Sequence, residues 1–247
     1  MKAILITGIN GGIGCAVANA FCEKGYAVLG IDLQSSASID LEHYWQIDLA
    51  QFVLSLQSQA EFSKHLENVI EDDNLELVGI INNAAVQILG SVSTLKMDDF
   101  LVSQAVNVAA PLLLSQISLP FLQASNGMVI NMGSIHAEQT KPEFVSYSTS
   151  KAAIRGLTQS MAVDLAGSVR VVAIEPAAIA TDMLIDGFKA QPEKLNELHQ
   201  CHPSGKIGLP SEVAELCYFL VNSSLPFLNG TCIGLNGGIA SRLHDPV

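Results

Sequence analysis

Residues 3–14 read Ala3-Ile4-Leu5-Ile6-Thr7-Gly8-Ile9-Asn10-Gly11-Gly12-Ile13-Gly14. The apolar run 3–6, ending in Thr7-Gly8, reads as a buried strand that meets a tight turn. Residues with a helical period, Val17, Ala20 and Phe21, follow at once, so a helix opens on the glycines. A glycine-rich turn between strand and helix lets the backbone approach a pyrophosphate, and the helix N-terminus offers N–H donors. A second strand, 26–31, ends at Asp32, where a carboxylate can accept from the hydroxyls of an adenosine ribose. Strand, glycines, helix, strand and acid in that order imply nucleotide binding.

The pattern continues outward from this unit. A short strand at 43–47 ends at Asp48, and 49–70 carries a helical apolar period beginning at Leu49. The apolar strand 75–81 closes at Asn82-Asn83-Ala84-Ala85. Residues 95–122 read as one long helix or two abutting ones and contain Asn107 and Pro111. The strand 128–132 ends near Gly133-Ser134, and the strand 169–174 leads into Glu175-Pro176. A polar stretch, 182–204, precedes a helix at 211–221 and a last strand at 231–235 that ends in Gly237-Gly238. Six or seven apolar strands alternating with helices imply an α/β fold, a parallel sheet covered by helices on both faces. With no composition break or linker, residues 1–247 read as a single domain. Ligands on such sheets sit beyond the C-terminal strand ends, where Thr7, Asp32, Asp48, Asn82, Ser134 and Pro176 all fall.

A second stretch carries the chemistry. Residues 144–154 read FVSYSTSKAAI, and Tyr147 and Lys151 stand four apart. On a helix that spacing puts phenol and ammonium on one face. A neighbouring ammonium favours the phenolate and would draw the tyrosine below its ordinary pKa of about 10, into range for acid–base work near neutral pH.

Composition limits the partners. The chain is 49% hydrophobic and 15% charged, with 24 acidic against 12 basic residues and a formal net charge of -12. A phosphate backbone or an anionic membrane would repel it, so neither nucleic acid nor membrane is expected as a partner. The opening apolar run is too short for a signal-peptide core, and no apolar run approaches the roughly 18 residues of a membrane span. The five cysteines are scattered without a C-x-x-C, which fits reduced thiols and a cytoplasmic location.

Taken together these motifs resemble the short-chain dehydrogenase/reductase family over essentially the whole chain. Thr7-Gly8-x-x-x-Gly12-x-Gly14 is similar to its cofactor turn, Asp48-Leu49 to its position near the adenine, and Asn82-Asn83-Ala84 to its stabilising motif after the fourth strand. Asn107, Ser134, Tyr147 and Lys151 are similar to its catalytic tetrad in order and spacing. The resemblance implies a doubly wound Rossmann-type sheet of about seven strands and an NAD(P)-dependent oxidoreductase that interconverts a secondary alcohol and its ketone. It implies Tyr147 as general acid or base, Ser134 as the group that polarises the same oxygen, and Lys151 as the group that lowers the tyrosine pKa and bonds the nicotinamide ribose. Asn107 would anchor a water leading from Lys151 to solvent.

The same resemblance places the cofactor against Gly8, Asn10, Gly11, Gly12, Ile13, Gly14, Asp32, Leu33, Asp48, Leu49, Asn83, Ala84, Ala85, Tyr147, Lys151, Pro176, Ala177, Ile179 and Thr181. Thr181 would bind the carboxamide and Ile179 would lend a backbone contact. Asp32 repels a 2′-phosphate, and Asn10, Gly11, Leu33 and Gln34 hold no cation to balance one, so NAD is expected rather than NADP. The chain departs from the family pattern at Ala85, Ala177 and Asn236. Both alanine sites should then keep ordinary backbone angles.

Further candidates stay open. Gln87 and His136 either contact substrate or face solvent. Met183, Leu184, Ile185 and Phe188 either close over a substrate, making 182–206 a lid, or form one amphipathic helix face. His199-x-x-His202, with Cys201 between, lacks a further ligand pair, so no metal is assigned. The family resemblance implies a homotetramer or homodimer built on the helices of 98–122 and 148–165. Two other functions compete: a catalytically silent NAD(P)-binding sensor or scaffold of the same fold, and an NADPH-dependent 3-oxoacyl reductase, which the acidic surface disfavours as a partner of an acidic carrier protein.

Overall fold

The structure, a computed structural model, describes residues 1–243. Seven strands form one sheet: β1 (Lys2–Thr7), β2 (Ala27–Asp32), β3 (His43–Gln46), β4 (Glu76–Asn82), β5 (Met128–Met132), β6 (Arg170–Pro176) and β7 (Cys232–Leu235). Their order is β3-β2-β1-β4-β5-β6-β7, and every neighbouring pair is parallel. The order reverses between β1 and β4, which opens a crevice at their C-terminal ends.

The strands are continuously apolar because both faces are covered. Ala3 and Leu5 of β1 point into one core with Leu66, Leu114 and Ala162, while Ile4 and Ile6 point into the other with Val17, Phe21 and Leu220. The first core is covered by α3 (Leu56–Asp72), α5 (Ala110–Ser125) and α6 (Val145–Asp164), the second by α1 (Gly12–Cys22) and α9 (Pro210–Asn222). The doubly wound α/β fold implied by the motifs is thus the observed one.

Two expectations need correction, and one open alternative is decided. The helix expected over 49–70 is two helices, α2 (Leu49–Phe52) and α3, because the Ser55 hydroxyl accepts from the Ser58 amide and starts a new N-terminus. As one of the two alternatives for the polar stretch 182–204 has it, Met183, Leu184 and Ile185 lie on a helix, because the stretch contains α7 (Asp182–Gly187) and α8 (Pro192–Cys201). Thr181 Oγ1 caps the first by accepting from Leu184 N, and Pro192 opens the second. Residues Met97–Ser125 form an uninterrupted helical run that is long and apolar enough, by length and composition, to cross a membrane, with a hydropathy of 1.6. Its apolar side chains Val106, Ala110, Leu114 and Leu122 are spent in the core of the sheet.

That run is α4 (Met97–Gln104), a widened π turn at Ala105–Ala109, and α5. Pro111 has no N–H to donate back to the Asn107 carbonyl, which frees one turn of the helix to widen.

Candidate active site

At the reversal point the chain is stitched across the crevice. Thr7 Oγ1 at the end of β1 accepts from the amides of Asn83 and Ala84, each at 3.0 Å. The Asn83 amide group donates in return to the carbonyls of Thr7 and Gly8, also at 3.0 Å. Gly8 has φ +67, and a Cβ at Gly14 would stand 2.1 Å from the Gly8 carbonyl oxygen, so only glycine lets the turn fold this tightly. The N-terminus of α1 begins at Gly11 with no side-chain cap and no acid in its first turn. Free amides at a positive helix end suit a pyrophosphate. A Cβ at Gly12 would lie 2.9 Å from the Thr181 methyl, so the segment after β6 closes directly on the glycine turn.

Asp32 is aimed by backbone. Its Oδ2 accepts from Asn10 N at 3.0 Å and its Oδ1 from Gln34 N at 3.2 Å. The Asn10 side chain donates to Ser36 O and to the Tyr44 hydroxyl and accepts from Ser38 N, which folds the 33–38 segment beside the carboxylate. Leu33 is exposed. The residues present therefore fit a dinucleotide: an uncapped helix end, a turn with no room for side chains, and a carboxylate held at the end of β2.

Across the crevice, α6 carries Tyr147 and Lys151 on one face, with the Lys151 ammonium 5.5 Å from the phenol ring centre. The expected electrostatic bargain differs in detail. Lys151 is 3 % exposed, its Nζ donates to the Met132 carbonyl at 2.6 Å, and burial pulls its pKa down to about 8. The Tyr147 phenol is pushed above its ordinary value by burial, and the Ser134 hydroxyl opposes that shift by hydrogen bonding. Burial is the largest influence on the phenol, and the Lys151 ammonium beside it is directed at a strand carbonyl. A protonated phenol at neutral pH is a proton donor in waiting.

Asn107 sits in the π turn and is 2 % exposed. Its amide group donates to Val86 O and to Ser150 Oγ, both at 2.9 Å, and its oxygen accepts from Val86 N at 2.8 Å. Ser150 Oγ in turn donates to the Tyr147 carbonyl. Asn107 thereby ties the segment after β4 to the helix bearing Tyr147, with one oxygen lone pair left over.

A family model described as enoyl-(acyl carrier protein) reductase matches residues 8–240. The chain belongs to the short-chain dehydrogenase/reductase family. An uncharacterized oxidoreductase of Thermotoga maritima is 28% identical over 250 residues, spanning 98% of this chain and 97% of its own. The 3-oxoacyl-(acyl-carrier-protein) reductase of the same organism is 28% identical over 246 residues, spanning 96% of this chain and 97% of its own. The solved structure of 4-hydroxyisoleucine dehydrogenase complexed with NADH superposes with a TM-score of 0.85 at 25% identity, over 98% of this chain and 100% of that one. Family membership makes the chain one of a group of oxidoreductases that bind NAD or NADP.

Other positions matched to the family divide into backbone and side-chain roles. Ile13 packs against the second core, and Ala84 and Leu49 against the first. Asp48 Oδ1 is engaged as the N-cap of α2, accepting from Ala50 N and Gln51 N. Pro176 and Ile179 are buried, the latter with its Cδ1 2.7 Å from where a Gly208 side chain would start. Ala85 and Ala177 are absent from the positive-φ positions among the described residues, as their side chains require. His136 lies against Tyr147 with ring centres 5.9 Å apart, and its Nδ1 meets Gln139 O. Gln87 and Met183 are exposed and Leu184 is half-buried at the rim. His199 and His202 each bond backbone, through Ile207 N and Leu198 O.

Sequence reasoning missed four contributors. Asn131 of β5 accepts from Asn82 at 2.9 Å and donates to Thr158 of α6 at 2.9 Å, a buried polar line from sheet to helix. A lone asparagine inside the apolar run Met128–Met132 was its signal. Ser150, Tyr44 and the pair Arg155–Glu175 carried no local mark.

Lys151 gives the site a measurable cost. Folding lowers its pKa from 10.5 to about 8, so between those values the unfolded chain holds more protons and the folded state gains stability as pH rises. Lys151→Met removes this term. The stability of the wild type relative to Lys151→Met should climb by roughly 1–3 kcal/mol between pH 7.5 and pH 10 in urea unfolding. A flat difference would mean that the ammonium is not desolvated.

Proposed function

We propose that this chain is an NAD-dependent oxidoreductase that interconverts a secondary alcohol and its ketone, with Tyr147 as general acid and base. The observation that carries the reading is the placement of Tyr147, Lys151 and Ser134 on one wall of the crevice, facing a glycine turn that leaves α1 uncapped. The bound cofactor supplies the hydride. Tyr147 delivers the proton to the carbonyl oxygen on reduction and takes it back on oxidation, while the Ser134 hydroxyl holds that oxygen. Lys151, neutralisable near pH 8, keeps a proton reservoir beside the phenol.

NAD is preferred because both Asp32 oxygens are held at the ribose end of β2 and the neighbours Asn10, Leu33 and Gln34 carry no positive charge. A 2′-phosphate there meets an uncompensated carboxylate. The substrate is a small alcohol or ketone taken between His136, Gln87 and the 182–206 segment, with Met183 and Leu184 of α7 at its edge. The same carboxylate and the acidic surface weigh against an NADPH-dependent 3-oxoacyl reductase, although one relative bears that name. A silent sensor has no use for a phenol and a desolvated lysine on one helix face.

We also propose self-association as a homotetramer or homodimer through α4–α5 and α6. Leu101 and Val163 are exposed, and a side chain at Gly156 would meet nothing, so these helices present a smooth apolar flank. Light scattering should give a multiple of 26.2 kDa; a monomer refutes this part.

A screen of alcohols with NAD and ketones with NADH, read at the NADH absorbance, tests the activity. Tyr147→Phe should lower turnover by about 10²–10⁴ while NADH binding, followed by fluorescence, stays nearly unchanged. A fully active Tyr147→Phe contradicts the mechanism.

Asp32→Ala should relax the preference for NAD over NADP in the same assay. A wild-type enzyme that already prefers NADP rules the cofactor assignment out.

A further inference from the structure

The proton-transfer reading leaves one buried carboxylate unused. Glu175, at the end of β6 and directly before Pro176, is 5 % exposed. Arg155 grips both of its oxygens, Nε on Oε1 at 2.8 Å and Nη2 on Oε2. The remaining corner of the same guanidinium, Nη1, donates to Glu138 on the loop beyond Ser134. Arg155 stands one helical turn past Lys151 on α6.

The three residues come from the three segments that hold the site. Glu138 follows Ser134 and His136, Arg155 shares a helix with Tyr147 and Lys151, and Glu175 precedes the segment that runs to Thr181. The packing leaves no slack between them. A Cβ at Gly133 would stand 2.8 Å from Glu175 Cγ, and Gly133 N donates to Ile174 O at 2.7 Å. Stability alone is a poor reason to bury such a carboxylate, because apolar side chains of like volume generally serve a core as well or better. What a forked guanidinium supplies is fixed geometry, two parallel bonds to one carboxylate and a third direction to another.

We propose that Arg155 is a positioning residue, which through Glu175 and Glu138 sets the Ser134 loop against the Tyr147 helix and thereby the rate of proton transfer. This rests on the reading of Ser134 and Tyr147 as the reacting pair. Glu138 is the accessible arm, with a side chain 59% exposed, so it can be removed without opening the core. Arg155→Met would leave the Glu175 charge buried and alone, and it serves only as a control for folding.

The test uses the whole chain labelled with 13Cζ-tyrosine, in which Tyr147 is assigned by its loss in Tyr147→Phe. The Ser134 hydroxyl holds the phenol pKa down. Glu138→Ala should therefore raise that pKa, Ser134→Ala should raise it as well, and the double variant should go no higher than Ser134→Ala. Arg155→Lys, which keeps the charge but loses the fork, should reproduce the Glu138→Ala shift. With the substrate found by screening, Glu138→Ala should lower kcat by about tenfold to a hundredfold with KM and NADH affinity nearly unchanged. An unmoved Tyr147 titration in folded Glu138→Ala overturns the proposal, as does a double variant that adds both shifts. Should Tyr147→Phe remain active, the underlying reading fails and the rate role of Arg155 goes with it, whatever the titration shows.

Discussion

Everything in this molecule hangs on the pairing of Thr7 with Asn83 across the reversal of strand order. β1 and β4 are far apart in sequence and adjacent in the sheet, and the chain leaves their ends in opposite directions. A crevice forms there whether or not anything uses it. Four hydrogen bonds between Thr7, Gly8, Asn83 and Ala84 give that crevice a fixed width. They spend side-chain donors and acceptors on backbone groups that the end of the sheet would otherwise leave without partners. The amides of the turn itself, Gly8 to Gly11, are spent on Ile31 O, Asp32 Oδ2 and Gly8 O, so the donors that face a pyrophosphate are those of the uncapped first turn of α1, and the absence of a cap becomes a binding feature instead of a defect.

A second constraint fixes the opposite wall. Asn82, Asn131 and Thr158 form a buried polar line from β4 through β5 into α6. Buried polar groups add little net stability, but one wrongly seated leaves partners unsatisfied. The line therefore works as a key that sets the rotation of α6 on the sheet. Rotation is what aims Tyr147 into the crevice and Lys151 at the Met132 carbonyl. Among the described residues the lysine has no carboxylate partner, and it has given up part of its charge stability to be there. The role proposed for this position runs against stability, as a desolvated ammonium must.

The parts of the structure legible in the sequence were those with a local cause. The strand at 128–132 is read without error because five consecutive buried residues leave no other element that fits. The glycine turn and Asp32 are read because strand, turn and helix are contiguous there. The 49–70 helix was misjudged, since an apolar period does not show that the Ser55 hydroxyl captures an amide and restarts the helix. The 182–204 stretch stayed open between a lid and a helix face for the opposite reason: α7 and α8 bury so little that their apolar period is faint, and their beginnings are set by Thr181 and Pro192. At the site, spacing says that Tyr147 and Lys151 are neighbours but not which acceptor the ammonium selects. Arg155 and Glu175 lie 20 apart in sequence and meet only once β6 is placed against α6.

How tightly each group is held follows the role proposed for it. Lys151, Asn107 and Glu175 are each less than a tenth exposed and anchored by named hydrogen bonds. The His136 ring is held by one hydrogen bond, through Gln139 O, on a loop whose far end is tied by the exposed Glu138. Met183 stands free. A reaction that tolerates no misalignment needs its groups pinned from several directions, whereas substrate fit can be retuned one exposed side chain at a time. In this fold the groups proposed to handle the proton stand on a sheet and a long helix, and those proposed to meet the substrate on the short helices after Thr181. On the proposed reading, a change in α7 alters which molecule enters without moving the phenol proposed to act on it.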